Sequence, residues 1–364
     1  MSLSKISRHR NEIMGVSMLC VMLFHSEIYF PIALWPATFI KTISYGAVDL
    51  FFFLSGFGLF HSWSSRKLST VEFYKVRLLR VLPSYWLIVI IYFFIIFFYS
   101  GEFSFLDFFF MMTGVNFYLH GDLFFWFIPS IICCYLLFPL IVSFISFDNN
   151  NRNIIKNVIL AIGSTLLLSL VITTTDFHYL LILTLRLPIF ILGIYAGYLF
   201  IQRFNVFWLE NIKLNVVILL LGILLLGLVI IFTTPAIRWQ FGLWWYPFII
   251  IAYPLCLLLA LSFQCMEDYR TNISIFKIMR KFVSFCGRYS LEIYLIHVVI
   301  FKILPVFVKK ILPVVIDHKF NIGRIPEYSI YALLAICLSP LLSKLTSPFR
   351  MPNLVAKQNV PAHG

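Results

Sequence analysis

The sequence predicts an all-α integral membrane protein, a bundle of about ten transmembrane helices. Of the 364 residues, 61% are hydrophobic and 12% are charged, whereas a soluble domain usually carries about 25% charged residues. The mean hydropathy is +0.96, and apolar runs long enough to cross a bilayer recur along the chain. Together these observations exclude a soluble globular protein.

The charged residues and the cysteines exclude two further classes. A net charge of +13 would suggest a nucleic-acid partner in a soluble protein, but here the charges lie in loops between apolar segments, where they set topology. No nucleic-acid binding is therefore expected. The seven cysteines lie in or beside apolar segments without CxxC spacing, so they are interpreted as small hydrophobic residues. Neither a disulfide framework nor a metal site is predicted.

The first transmembrane helix is predicted within residues 10–30, RNEIMGVSMLCVMLFHSEIYF, because about 20 residues suffice to cross a bilayer. A basic front is typical of a signal peptide, but this apolar region is longer and no small-residue cleavage site follows it. The segment is therefore expected to remain as a helix. His25 lies within it, and an ionisable residue inside a span is by default a functional candidate.

Nine further apolar runs complete the predicted bundle. The third is expected to begin at Pro83, an acceptable first-turn residue. The run 103–113 is short and flanked by acidic residues, so it is placed at the membrane interface. The remaining gaps leave no room for a soluble domain, so residues 1–350 are predicted to form one membrane domain and 351–364 a short cytoplasmic tail. The predicted spans are 12–31, 43–61, 82–100, 124–147, 154–174, 179–201, 215–233, 245–264, 283–303 and 326–345.

The distribution of lysine and arginine predicts that both termini are cytoplasmic. Loop 62–81 contains five of these residues and loop 100–122 contains none, which places the former inside by the positive-inside rule. The last outer loop departs from this bias. Either it forms an outer basic surface for an anionic acceptor, or the ninth span is misplaced. Its basic residues are Lys302, Lys309, Lys310, Lys319 and Arg324.

Ionisable residues on four spans are predicted to lie at similar depth in the outer half of the bilayer. Depth follows from the rise of about 1.5 Å per helical residue, and the residues are His25, Asp49, Arg186 and His297. Polar residues in a membrane face one another or water, so the four are expected to share a cavity. The alternative is that each residue is paired separately for packing.

A second concentration of charge is predicted on the cytoplasmic side, in residues 73–86, FYKVRLLRVLPSYW. Arg77 and Arg80 are three residues apart, so on a helix they project from neighbouring positions. Two guanidinium groups placed in this way suit bidentate phosphate binding. The alternative is ordinary anchoring by positive-inside charges, which any basic loop can supply.

These stretches resemble motifs of the membrane acyltransferase family 3, whose members acylate surface polysaccharides and other extracytoplasmic acceptors. The similarity is carried by MLFHS at the end of the first helix, GAVDLFFFLSGFGL in the second, RLLRVLPSYW after it and GRYSLEIYLIH in the ninth. The four stretches occur in family order over nearly the whole chain.

The resemblance implies ten helices, an acyl-CoA donor in the cytoplasm and an acceptor hydroxyl on the far side. It also implies that His25 is the family's essential first-helix histidine, and that Arg77 and Arg80 match its paired arginines. One position departs from the pattern. The family usually has Arg or Lys eleven residues before the histidine, where this chain has Met14. Arg10, one turn earlier on the same face, is the nearest candidate to replace that cation.

The resemblance therefore predicts a membrane O-acyltransferase, more narrowly an O-acetyltransferase, that uses acetyl-CoA as co-substrate and holds no permanent cofactor. The acceptor is expected to be a cell-surface or exported carbohydrate, and the location the cell inner (plasma) membrane. Polysaccharide-biosynthesis proteins are expected partners besides the bilayer.

The candidate site residues have separate expected roles in this reaction. His25 is expected to act as the general base, or to carry the acyl group itself, and Asp49 to fix its tautomer. The donor-binding residues are expected to be Arg77, Arg80 and Arg10. The acceptor or cavity residues are expected to be Arg186, His297 and Glu292.

Two other functional classes remain open from the residues themselves. Buried charges would also suit a proton relay in a transporter of a small carboxylate or sugar intermediate. Internal repeats are not apparent, and a transporter would not explain RLLRVLPSYW beside a basic loop. A structural or regulatory membrane subunit is the third interpretation.

Overall fold

Every element in the part of the chain that the structure describes is a helix. The structure is a computed structural model, and it describes residues 2–26, 28, 30, 34–66, 68–147, 150–204, 206–268, 274–311 and 324–350. The longer helices are Arg10–His25, Ala47–Arg66, Thr70–Ser100, Phe127–Ile145, Asn151–Ile172, Leu187–Ile201, Ile212–Phe232, Tyr246–Asp268, Ser274–Arg288, Ser290–Ile311 and Ile325–Thr346. The shorter α-helices are Ser2–Arg8, Trp35–Ile43, Phe105–Thr113, Val115–His120, Leu181–Thr184, Phe207–Glu210 and Pro235–Phe241.

The predicted class, an all-α membrane protein, is confirmed. Within the described ranges, eight helical segments are long and apolar enough to cross a membrane, or nine if one bent pair counts as a single span. The helix Arg10–His25 has 16 residues, fewer than the about 20 that a perpendicular crossing needs. The number ten therefore stays a prediction, as does the orientation. The predicted tail 351–364 lies outside the described residues.

The third predicted span begins much earlier than its proline. The helix runs from Thr70 to Ser100, and Pro83 lies inside it, so the prediction that Pro83 occupies the first turn is wrong. The start is set by a capping box, in which the Ser69 side chain and the Glu72 carboxylate each bond the other's backbone N–H. One consequence is that Arg77 and Arg80 belong to the same continuous helix.

The ninth predicted span, 283–303, is not one straight helix. The chain forms two helices, Ser274–Arg288 and Ser290–Ile311, with a break of one residue and a bend of 80°. The first of these carries Lys277 and Lys281, which are exposed, so its sequence favours a water-facing side rather than a place within a span. The apolar helix therefore begins after the break at residue 289, and not at residue 283 as predicted.

The chain forms two compact units, each built from segments that are distant in sequence. Unit 1 comprises Met1–Val21, Ile43–Lys67 and Leu136–Arg288. Unit 2 comprises Met22–Thr42, Leu68–Tyr135 and Tyr289–Gly364. The single domain predicted for residues 1–350 stays a prediction, and the two units are described in turn.

Unit 1 is built around close contact between the helices Ala47–Arg66 and Leu187–Ile201. A Cβ atom at Gly56 would clash with the carbonyl oxygen of Phe190, and one at Gly193 would clash with the carbonyl oxygen of Phe53. Small residues at such positions let two backbones touch, which compensates for the weak hydrophobic drive between helices in lipid.

Unit 2 is built around the helix Ser290–Ile311, which packs against Ile325–Thr346 and Thr70–Ser100. Polar side chains join the last two helices, since the hydroxyl groups of Ser84 and Thr346 lie 3.0 Å apart. The hydroxyl group of Tyr85, the residue after Ser84, donates a hydrogen bond to the Met111 carbonyl. In the same unit, His297 of the helix Ser290–Ile311 lies beside His25 at the end of the helix Arg10–His25.

We expect Gly56→Ala to destabilise unit 1, because the added methyl group must displace the backbone of the facing helix. Overpacking of this kind costs about 1–3 kcal/mol. The matched control is Gly227→Ala, where a Cβ atom meets no atom within 4 Å and the substitution improves helix propensity by up to about 1 kcal/mol. Thermal unfolding of the purified protein in detergent measures both. Equal melting temperatures for the two variants would contradict the close contact.

Candidate active site

Two histidines from opposite ends of the chain meet in unit 2. His25 is the last residue of the helix Arg10–His25 and is exposed, whereas His297 is fully buried, with 0% of its surface accessible. The Nδ1 atom of His25 lies 3.1 Å from Nε2 of His297. The other ring nitrogen of His297, Nδ1, lies 3.1 Å from the carbonyl oxygen of Ile293. An exposed imidazole is therefore backed by a buried one.

Aromatic rings surround the buried histidine. The ring centroids of Tyr294 and Phe301 each lie 5.5 Å from that of His297. The Phe24 ring lies 5.4 Å from that of His25. The buried imidazole therefore packs among aromatic side chains, while the His25 ring is exposed. Among the described residues, no three His, Cys, Asp or Glu side chains lie close enough to hold a metal ion.

Asp49 and Arg186 form a buried ion pair in unit 1. The Asp49 Oδ1 atom lies 3.2 Å from Nε of Arg186, and the two side chains are 0% and 1% exposed. Arg186 also donates from Nη1 to the Ile182 carbonyl at 2.5 Å, and its guanidinium lies 5.3 Å from the centroid of the Trp245 ring. The structure thus pairs Asp49 with Arg186, and the role of Asp49 beside His25 stays a prediction.

The four residues predicted to share a cavity form two pairs. His25 lies with His297 in unit 2, and Asp49 lies with Arg186 in unit 1. Each pair joins residues that the sequence placed at the same depth. The shared cavity itself stays a prediction.

The two candidate donor-binding arginines have different surroundings. Arg77 is buried, at 7% exposure, with its guanidinium 5.7 Å from the centroid of the Phe73 ring. Arg80 is exposed. Both lie on the helix Thr70–Ser100. The guanidinium group of Arg80 is therefore at the surface, and that of Arg77, one turn earlier, is packed inside unit 2.

Glu292 has a partner that the sequence analysis missed. Its Oε1 atom lies 2.5 Å from Nη2 of Arg350, and the same Nη2 donates to the Ser84 hydroxyl at 2.7 Å and the Thr346 hydroxyl at 3.1 Å. Arg350 thereby links three helices of unit 2. A buried carboxylate at the start of a span requires a cation, but the predicted spans ended before Arg350, so its partner was not apparent.

Arg10 packs against the second long helix within unit 1. A Cβ atom at Gly58 would lie 3.2 Å from Cζ of Arg10, so the absence of a side chain at Gly58 makes room for the guanidinium. This contact was not predicted. Whether Arg10 replaces the cation missing at Met14 stays a prediction.

A comparison with known families decides the class of this protein. A model described as an acyltransferase domain matches residues 15–344, nearly the whole chain. The chain belongs to the acyltransferase 3 family. The resemblance in the motifs is thereby confirmed, and the protein is a multi-pass membrane acyltransferase. The matched range of this acyltransferase includes His25, Arg77 and His297, whereas Arg10 and Arg350 lie outside it.

Two further comparisons returned no match. Neither the curated proteins nor the solved structures contain a protein that matches this acyltransferase.

We expect the Asp49–Arg186 pair to contribute to stability as a unit. Asp49→Leu and Arg186→Met should each destabilise the fold by about 3–5 kcal/mol, because each leaves a buried charge without its partner. The double variant should be more stable than either single variant, since it buries no charge. Thermal unfolding in detergent measures all three.

The control for that comparison is an exposed ion pair in the same unit. Arg8 and Glu267 lie 3.0 Å apart, and the Arg8 side chain is 61% exposed, so Arg8→Gln should cost at most about 1 kcal/mol. A double variant no more stable than the singles would show that Asp49 and Arg186 act independently.

Proposed function

We propose that this acyltransferase moves an acyl group, in particular acetyl, from cytoplasmic acyl-CoA to a hydroxyl of a cell-surface or exported carbohydrate. The proposed location is the cell inner (plasma) membrane. One observation carries the proposal: an exposed imidazole, His25, stands at the end of a helix and is hydrogen-bonded to a buried imidazole, His297. An imidazole held in this way suits general base catalysis.

In the proposed reaction the acceptor hydroxyl attacks the thioester carbonyl carbon of the donor. A carbon–oxygen bond forms and the carbon–sulfur bond breaks. His25 takes the hydroxyl proton and then gives it to the departing CoA thiolate, so the products are an ester and free CoA. No further co-reactant is required. In a variant route His25 attacks the thioester carbon first, so that the carbon–sulfur bond breaks and CoA thiolate leaves an acyl-His25. The carbohydrate hydroxyl then attacks the acyl carbon, the carbon–nitrogen bond to His25 breaks, and the hydroxyl proton passes through the freed imidazole to the CoA thiolate.

The proposed donor site uses the unequal arginines of the helix Thr70–Ser100. Arg80 is exposed and is assigned to the phosphate groups of CoA, because a guanidinium binds phosphate oxygens in a fork. Arg77 lies one turn earlier on the helix and is buried. It is assigned to the same phosphate groups, as a second positive charge. The donor role of Arg10 and the acceptor roles of Arg186, His297 and Glu292 stay predictions of the sequence.

His25→Ala should abolish acyl transfer while leaving expression and membrane insertion near the wild-type level. Removal of a general base typically costs about 10²–10⁴-fold in rate. The measurement is transfer of radiolabelled acetyl from acetyl-CoA to an extracted glycan by the purified protein. The matched control is His120→Ala, which removes an exposed histidine of unit 2 and should have no effect. Retention of more than a few per cent of activity in His25→Ala would rule out His25 as the base.

Arg80→Ala should raise the KM for acyl-CoA with little change in the KM for the acceptor. A charge-assisted phosphate contact contributes roughly 1.5–3 kcal/mol, which corresponds to about 10- to 150-fold in affinity. Arg80→Lys should restore part of the loss, because a point charge cannot form the fork. Lys75→Ala, an exposed residue of the same helix, is the control. An unchanged KM for the donor in Arg80→Ala and in Arg77→Ala would leave both arginines as topology anchors.

A further inference from the structure

We propose that His297 is a positioning residue for His25: it fixes the tautomer of the His25 ring so that the basic lone pair lies on Nε2. This inference rests on the proposed function, in which His25 is the base. It assigns to His297 the orienting role that a carboxylate has in other base-assisted acyl transfers.

The first step of the argument concerns the buried ring. A carbonyl oxygen only accepts hydrogen bonds, so Nδ1 of His297, 3.1 Å from the Ile293 oxygen, must carry a hydrogen. The ring is fully buried, and burial strongly favours the neutral form of an ionisable group. A neutral imidazole has one N–H. The Nε2 atom of His297 is therefore a hydrogen-bond acceptor.

The second step transfers this polarity to the exposed ring. Nε2 of His297 lies 3.1 Å from Nδ1 of His25, and an acceptor at that distance requires a donor opposite. His25 must then carry its hydrogen on Nδ1, and its lone pair lies on Nε2. A neutral histidine side chain in water favours the other tautomer, with the hydrogen on Nε2. The buried carbonyl thus reverses that preference through two hydrogen bonds in series.

The third step concerns the reaction. When Nε2 of His25 takes the hydroxyl proton, the ring becomes an imidazolium whose Nδ1–H still points at the lone pair of His297. A hydrogen bond from a charged donor is roughly twice as strong as a neutral one, so the contact strengthens while the proton is held. No proton crosses between the two rings. The proton on Nε2 then leaves with the CoA thiolate, and the starting tautomer is restored.

A packing role for His297 makes a different prediction. The ring contacts those of Tyr294 and Phe301, so packing alone would tolerate an apolar side chain of similar size. His297→Leu keeps an apolar side chain but has no acceptor. His297→Gln keeps an oxygen that can reach the position of the ring Nε2. The comparison of these two variants therefore separates orientation from packing.

Kinetics of the full-length protein in lipid provide the first test. We expect His297→Leu to lower kcat at least about 10-fold and to leave the KM for acyl-CoA unchanged. The loss should be smaller than that caused by removal of the general base itself, which is about 10²–10⁴-fold. His297→Gln should recover most of kcat. His120→Leu is the control and should behave as wild type. Full activity of His297→Leu, beside an inactive His25→Ala, would overturn the positioning role and leave the proposed function intact.

The tautomer is read directly, without acyl transfer, by solid-state NMR of protein in bilayers with ¹⁵N-labelled histidine rings. The difference between the wild-type and His25→Gln spectra isolates the His25 ring. We expect a protonated Nδ1 and an unprotonated Nε2 at a pH where the ring is neutral, and the reverse tautomer in His297→Leu. A protonated Nε2 in the wild type would overturn the inference whatever the activity, and full activity of His25→Ala would overturn it together with the proposed function.

Discussion

Inside hydrocarbon, a polar or charged group can find a hydrogen-bond or ion-pair partner only within the protein, and this constraint organises the structure. It pairs Asp49 with Arg186 in unit 1, and Glu292 with Arg350 in unit 2. It also sets His297 against the Ile293 carbonyl and the His25 ring. The first two pairs cancel opposite charges. The last contact involves no pair of opposite charges and ends at the exposed His25 ring, which suits the proposed chemistry as well as packing.

Much of this architecture could be predicted from the sequence because hydropathy and charge act locally. The all-helical membrane class followed from composition, and the choice of His25 and Asp49 as candidate residues followed from their placement within apolar runs. The identity of each partner could not be predicted in the same way. His25 and His297 are 272 residues apart, and depth along a helix does not specify which neighbour a side chain faces. Arg350 escaped notice because it lies beyond the last predicted span, 326–345.

Helix ends show a second limit of local patterns. Pro83 is compatible with a first turn, but the Ser69–Glu72 capping box begins the helix earlier and carries Arg77 and Arg80 into it. The ninth run looked continuous because its apolar residues extend past the bend at residue 289. In the first case, hydrogen bonds of the capping box and not the proline set the start of the helix. In the second case, the amphipathic pattern of Ser274–Arg288 separates this helix from the apolar helix that follows it.

Membership of the acyltransferase 3 family favours acyl transfer over a transporter or a structural subunit, and the most direct measurement places donor and acceptor on opposite sides of a membrane. Protein is reconstituted into vesicles that enclose the glycan, and acyl-CoA with a labelled acyl group is added outside. Only the protein molecules whose cytoplasmic face points outward can use this donor. Our account predicts labelled ester on the enclosed glycan, dependent on His25. Label that enters the vesicles without glycan and remains unesterified would contradict it and indicate transport.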